Sequence, residues 1–357
     1  MNPIFVFRNQ YEKLIAFKKK YDYSEEKNCN IYNHFRHSCN TSDILVGMVS
    51  FDGSKNNLFV PESVVVKKND KKNKKLQNNK KTQSNKRIDS YSIPCESYYK
   101  DSVNRAINAI HNGEFKKIVL SRKNVITFEK KLCPYQIYSN LDANNSNGFI
   151  YYSEKDNNYF IGASPELLIR KKDNMIETNP LAGSRPKYDN DDLNELMKSE
   201  LKNSKKDLLE HSLVVEYIEK KLKPICSQLH VPTCPEIIGS DKMWHLSTKI
   251  HGNLKESISS LELAQILHPT PAILGDKPEM LMRHLYDYEG YDRGFYSGYV
   301  GWMDYNGDGE WVISLRCGET ENNKVSVYAG AGIVSDSDAE EEFKETEAKM
   351  QTLISSI

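Results

Sequence analysis

With 357 residues, 38% of them hydrophobic, the chain is long enough to bury one large core or two smaller ones. Its 49 basic and 49 acidic residues cancel, which argues against a dedicated nucleic-acid binder, and no stretch approaches the ~18 consecutive apolar residues of a membrane helix. Seven cysteines without a C-x-x-C pair fit the reduced thiols of a cytoplasmic protein, and the charge-studded stretch MNPIFVFRNQYEKLIAFKKK does not read as a secretory signal.

In chain order, ILVGMVSFDG (44–53) and NLFVPESVVV (57–66) are rich in β-branched and aromatic residues and predict two strands joined by a glycine turn. Residues 67–87 follow with ten Lys or Arg, one Asp and a single apolar residue, Leu76. Such a segment cannot bury enough surface to offset its ordering entropy and is expected to be a disordered basic insertion. It lacks the interleaved aromatics that stack on nucleic-acid bases. Residues 99–116 carry Val103, Ile107 and Ile110 at helical spacing and stop at Asn112-Gly113, and 117–128 reads as a strand. From Gly148 to Asn179 the pattern predicts an antiparallel meander, and 191–224 one long amphipathic helix with Leu201, Leu208, Val215 and Leu222 on its stripe. A second strand block spans Gly294 to Ala331, and SDAEEEFKETEAKMQTLISSI reads as a helix opened by a Ser/Asp cap. Strands in blocks with helices between them predict an α+β fold with antiparallel sheets.

Several familiar motifs fail. DYNGDGE (304–310) starts like a calcium loop but has Leu315 where the bidentate Glu belongs, so it reads as a hairpin turn. AGAGIVS (329–335) lacks the third glycine and the following βαβ unit of a dinucleotide fingerprint. No H-x-x-x-H or G-x-S-x-G pattern occurs.

Four segments place polar residues where a plain fold would not. Lys117 opens an apolar strand, as an edge charge or as a partly desolvated general base. Glu166, in GASPELL, is either a solvated strand end or a buried general acid. Glu210 borders the apolar stripe of its helix, and Glu342, Glu345 and Lys349 share one face of the last helix. If those two faces meet, their carboxylates supply hard oxygen ligands for Mg²⁺. Arg316 and the backbone of Gly330 and Gly332 could hold an anionic group.

The segments KIVLSR, GASPELLIR, NPLAGSRP, HLSTKIHGNL, LHPTPA, YDRGFYSGYVGW, GDGEWVISLRC and AGAGIVSDSDAEEEFKETEAK, all in order, resemble the chorismate-utilising enzymes, a family that includes anthranilate synthase component I, and within it the isochorismate synthases. The resemblance covers 44–357, with the insertion at 67–87, and implies an α+β domain of two large antiparallel sheets with helices outside and a chorismate site between them. Residues 1–43 match poorly and are expected to be a shortened version of the family's leading strands in the same domain. Where ammonia-using relatives read PAGT this chain reads His268-Pro-Thr-Pro-Ala272, and Ala182 stands where aminodeoxychorismate synthases carry a Lys. Water is thus the expected nucleophile, with no glutamine amidotransferase subunit. A salicylate synthase, which continues to pyruvate elimination, and a catalytically silent binding module are the alternatives.

By resemblance, Lys117 is the base that activates water for attack at C2 of chorismate, and Glu166 the acid that protonates the departing C4 hydroxyl. That pairing requires Lys117 lowered and Glu166 raised from their free pKa values. Glu210 and Glu345 match the Mg²⁺ ligands, with Glu342 beside them. Gly183, Ser184, Ala272, Arg316, Gly330 and Lys349 match substrate contacts. The resemblance implies a small-molecule enzyme; composition gives no nucleic-acid or membrane partner, and a monomer is the default expectation. It leaves open whether the product feeds menaquinone, a siderophore or salicylate. One departure concerns the loop after Ala272: Ile273-Leu274-Gly275-Asp276-Lys277-Pro278 has one residue more before its proline than the family pattern.

Overall fold

The computed structural model describes residues 2–27, 30–69, 85–240 and 242–357. The first elements are β1 (Phe5–Arg8), β2 (Glu12–Asp22), α1 (Ile31–Ser38), β3 (Ile44–Val49), β4 (Asn56–Lys68), β5 (Arg87–Ile93), α2 (Glu96–His111) and β6 (Ile118–Phe128). Then come α3 (Pro134–Asn144), β7 (Phe149–Lys155), β8 (Asn158–Ser164), β9 (Leu167–Lys172), β10 (Met175–Asn179), β11 (Leu181–Pro186), α4 (Asp191–Asn203) and α5 (Lys205–Leu222). Four short strands follow, β12 (Cys226–His230), β13 (Glu236–Gly239), β14 (Met243–Ser247) and β15 (Ile250–Leu254), with α6 (Ser260–Leu267) and α7 (Pro278–Glu289) after them. The last elements are β16 (Tyr299–Asp304), β17 (Gly309–Ile313), β18 (Cys317–Glu321), β19 (Lys324–Ile333) and α8 (Ala339–Ile354). No helix among the described residues is long and apolar enough to cross a membrane.

The α+β class with antiparallel pairing is as the sequence predicts. Sixteen strands share one hydrogen-bonded order, β12-β15-β10-β9-β17-β16-β3-β4-β2-β1-β7-β8-β18-β19-β6-β5, and β11-β14-β13 form a separate small sheet. The two large sheets expected are therefore joined, and the poorly matching N-terminus makes the join: β1 pairs with β7 and β2 with β4. Phe5 and Phe7 pack into one core cluster while Val6 between them packs into another. A strand buried on both faces reads as a continuous apolar run, Phe5-Val6-Phe7, instead of an alternating one, and Arg8 at its end is buried by pairing with Asp142.

The expected meander from 148 to 179 breaks in the middle. β7 and β8 form one hairpin and β9 and β10 another, but β8 pairs onward with β18 whereas β9 pairs with β17. The chain thus crosses from one half of the sheet to the other at Pro165-Glu166. Proline lacks the N–H that a continuing ladder would need. The second strand block makes the same crossing at Ser314-Leu315-Arg316, between β17 and β18. The two crossings lie against each other, with Ala163 N donating to Arg316 O and Ile313 N to Glu166 O, both at 3.2 Å.

The single helix expected over 191–224 is two helices. Ser204 leaves helical geometry at ψ 110, and its hydroxyl accepts the N–H of Asp207, so it caps α5. The break re-aims the face: Asp207, His211, Val214, Ile218 and Leu222 are buried on α5, and Leu208 of the expected stripe is exposed. The start of the expected basic insertion is also ordered. Lys67 and Lys68 extend β4 opposite Lys13 and Glu12, and Arg87 begins β5 opposite Phe128, because strand pairing satisfies their backbone groups. Residues 70–84 of that segment lie outside the described residues. DYNGDGE is a hairpin turn as predicted, its Asp304 carboxylate accepting the N–H groups of Asn306 and Asp308, and AGAGI lies within β19.

A buried ion pair ties this framework together. Arg293 and Glu289 are about 1% exposed and meet at 2.6 Å. Arg293 also donates to Ile273 O at 2.7 Å and Val119 O at 2.8 Å, and Glu289 accepts Ser121 N at 2.6 Å. The end of α7, strand β6 and the loop after Ala272 are clamped by two side chains. Removing one partner of a buried pair leaves an uncompensated charge, so Glu289→Ala should cost about 3–5 kcal/mol. Guanidinium unfolding measures this, and an unchanged midpoint would mean that the pair carries no stability.

Candidate active site

Where the sheet halves meet under α5 and α8, a cavity is lined by nine of the ten residues singled out from the sequence: Glu166, Gly183, Ser184, Glu210, Ala272, Arg316, Gly330, Glu345 and Lys349. They come from seven separate places. Glu166 and Arg316 are at the two chain crossings, Gly183 and Ser184 on β11, Glu210 on α5, Ala272 after α6, Gly330 on β19, and Glu345 and Lys349 on α8. The tenth, Lys117, is fully buried just before β6 and lies behind the lining, with Nζ 2.8 Å from Oε1 of the lining residue Glu210. The contact lacks hydrogen-bond alignment, which leaves Nζ without a hydrogen-bond partner. The small residues of β19 make room for this pair. A Cβ on Gly332 would lie 2.3 Å from Glu210 Oε1 and 3.2 Å from Lys117 Cε.

Glu166 is 4% exposed. Burial pushes its carboxyl up to about 8, against the pull of Lys117, of the Leu181 backbone and of Arg316. It is therefore mainly protonated at neutral pH and able to donate. Arg316 carries its side chain on a backbone with φ 49, a strained conformation for a residue other than glycine. Among the described residues no carboxylate pairs with its guanidinium. A fork of donors left open in a buried cavity suits a ligand carboxylate.

On the α8 side, Lys349 pairs with Glu345 at 2.5 Å and donates to Gly330 O at 2.9 Å. Lys206 of α5 reaches Glu342 at 2.6 Å, linking the two helices. Burial would lower Lys206, but Glu342, Glu345 and Glu210 together raise it. Glu345 is held below the ordinary carboxylate range: burial works the other way, but Lys349, Lys206 and Arg316 outweigh it. Burial and the neighbouring Glu345 raise Glu342.

Sequence reasoning missed several lining residues: Arg185, Lys206, Asp207, His245, Tyr296 and Tyr328 among them. Gly183, at φ 72, lets β11 bulge toward Asp207, where a Cβ would come within 2.9 Å of the Asp207 side chain. Arg185 pairs with Asp207 at 2.9 Å. His245 holds the Ser184 hydroxyl at 2.8 Å. Burial, with Arg316 and Lys349 nearby, pulls this imidazole down to about 3, so it is a neutral partner. Its signal was present in HLSTKIHGNL, whose polar residues alternate inward on β14, and that of Lys206 and Asp207 was the Ser204 cap.

The donor set can be weighed for a divalent cation. Glu210 and Glu345 are hard oxygen donors from two helices on the wall of one cavity, which suits an ion that keeps several waters. Each carboxylate has a lysine partner, and among the described residues no three His, Cys, Asp or Glu side chains converge as a ready cage. The pair fits a cation bound by two protein carboxylates with further oxygens from water or ligand.

Comparison with known proteins agrees with this layout. The family model described as "Chorismate binding enzyme" matches residues 37–357. Isochorismate synthase DhbC of Bacillus subtilis is 38% identical over 270 residues, covering 73% of this chain and 68% of the relative. Isochorismate synthase EntC of Escherichia coli is 32% identical over 313 residues, 87% of this chain and 80% of the relative. Among solved structures, a putative 2,3-dihydroxybenzoate-specific isochorismate synthase, DhbC from Bacillus anthracis, superposes with TM-score 0.91 at 34% identity. It covers 99% of this chain and 96% of that one. Anthranilate synthase component I from Streptococcus pneumoniae, at 21% identity and TM-score 0.81, shares the fold. With its matching family model, its relatives and its cavity, this chain belongs to the chorismate-binding enzyme family.

Proposed function

We propose that the protein is an isochorismate synthase, an isomerase that moves a hydroxyl from C4 to C2 of chorismate with Mg²⁺ as cofactor. The observation that carries this reading is one cavity that gathers a buried carboxyl, Glu166, pushed up to about 8 by its burial, the unpaired Arg316 guanidinium and Lys349, with the amine of Lys117 held behind Glu210 on its wall. The relatives' names support it, as do His268-Pro-Thr-Pro-Ala272 and Ala182.

In this reading Arg316 and Lys349 hold the substrate carboxylates, and the backbone at Gly183 and Gly330 lets the ring approach closely. Lys117 takes a proton from water as its oxygen bonds to C2, the ring double bonds shift, and Glu166 gives its proton to the C4 oxygen as that bond breaks. One water enters and one leaves, so substrate and product are isomers. To act as base, Nζ must first give up its own proton and with it the ion pair to Glu210. Glu210 and Glu345 would hold Mg²⁺, which supplies charge neutralisation and a template for a substrate carboxylate. Water as nucleophile needs no amidotransferase partner, and the protein would act as a cytoplasmic monomer.

Incubation with chorismate and Mg²⁺, followed by product separation, should give isochorismate without pyruvate. Salicylate with pyruvate, or no turnover, would overturn the reading. Lys117→Ala and Glu166→Gln should each lose roughly 10²–10⁴-fold in kcat with the fold retained.

The acid must carry its proton, so kcat/KM should fall as pH rises through about 8. The Glu166→Gln variant should lose that alkaline limb along with most of its rate. A wild-type profile flat from pH 7 to 9.5 would remove Glu166 from the acid role.

Gly332→Ala tests the packing behind the pair. Its Cβ would collide with the flexible end of Glu210 and not with backbone, so circular dichroism should be unchanged. Displacing Glu210 and Lys117 by about 1 Å should cost roughly 10²-fold in turnover.

A further inference from the structure

We propose that Asp276 is a positioning residue for Lys117, fixing the peptide units from which that side chain enters the site; this rests on Lys117 being the base. Lys117 precedes the first residue of β6, and the ladder with β19 begins at Ile118 opposite Ile333. The sheet therefore does not hold the Lys117 N–H. Asp276 does: its Oδ1 accepts both Lys116 N and Lys117 N at 2.9 Å. The backbone N–H of Asp276 donates back to Lys117 O at 3.3 Å. Both peptide groups of Lys117 thus end on one residue.

The loop is built for this approach. Gly275, at φ 135, bridges Ile118, and a Cβ there would fall 2.3 Å from Lys117 O. Leu274 O accepts Val119 N at 2.8 Å just beyond. Asp276 occurs in the stretch where this chain has one residue more than the pattern it resembles, between Gly275 and Pro278. The longer loop brings a carboxylate to two amides that no strand covers, and hydrogen bonds to a charged acceptor are the stronger kind. Lys277 beside it turns away, its Nζ donating to Glu114 O.

The test is steady-state kinetics with chorismate on Asp276→Ala, Asp276→Asn and Lys277→Ala, together with amide hydrogen exchange on each. Asp276→Ala should lower kcat roughly 10–100-fold, the scale of a misplaced catalytic group, with KM within about twofold. The Lys116 and Lys117 amides should exchange faster while the Val119 amide does not. Asp276→Asn keeps an acceptor oxygen and should recover most of the loss, and Lys277→Ala should match wild type. An unchanged kcat, unchanged exchange at Lys117, an Asn variant no better than Ala, or an equal loss in Lys277→Ala would each overturn the proposal. Should Asp276→Ala fail to fold, Asp276→Ser is read by the same measures. A wild-type protein inert toward chorismate would overturn the functional reading instead, and the exchange data would still report whether Asp276 holds Lys117.

Discussion

The site depends on one topological constraint: two of the chain's passages between the sheet halves, β8 to β9 and β17 to β18, touch each other. At Pro165-Glu166 and at Leu315-Arg316 the strand ladder is interrupted, and each interruption is closed by a backbone hydrogen bond to the other, Ala163 N to Arg316 O and Ile313 N to Glu166 O. A residue at such a switch has no cross-strand neighbour covering its side chain, so it can face a cavity while its backbone remains satisfied. The geometry places an acid and a guanidinium side by side in the interior, where low dielectric magnifies every charge. Burial then keeps Glu166 protonated, and the strain at Arg316 persists because the surrounding ladders over-determine it.

Around those crossings the charges are organised in pairs. Lys117 faces Glu210, Lys349 faces Glu345, and Lys206 faces Glu342. Lys117 and Glu342 are buried and the other four are half-buried, so each would be costly left single, and each pairing offsets the desolvation of its members. Arg316 is the exception, and a dianionic substrate is the natural complement. Net neutrality of the whole chain hid this. With ten basic residues concentrated in 67–87, the remainder carries 39 basic against 48 acidic residues. An acidic body that takes an anion has to gather its cations in one place.

Much of the site was legible because motif residues are constrained by chemistry at fixed spacing. Lys117, Glu166 and Arg316 stand out as polar residues in apolar strands and Glu210 borders an apolar stripe, whereas Glu345 and Lys349 lie on a charged helix face and were marked by the resemblance; all but Lys117 line the cavity directly. What was illegible has physical causes. Ser204 looks like an ordinary helix residue until Asp207 three positions on is recognised as its capping partner, so two helices read as one and Lys206 and Asp207 were passed over. The meander looked continuous because hydrophobic alternation says which face a residue takes and not which strand lies beside it. β1 was faint because a strand buried on both faces carries no alternation. His245 lay within a recognised block, but a lone histidine gains meaning only when Ser184 arrives from β11, 61 residues earlier.

The pairing of β3 with β16 bears on how the molecule is made. Val49 lies opposite Tyr299 and Ile44 opposite Asp304, so strands some 250 residues apart in sequence are neighbours in the sheet. At a synthesis rate of roughly 5–20 residues per second, β3 emerges roughly 10–50 s before its partner exists. During that interval ILVGMV, nearly all of it buried in the finished fold, presents an unpaired apolar edge. Closing contacts across such separations is entropically slow, so this edge stays open to wrong partners until β16 arrives.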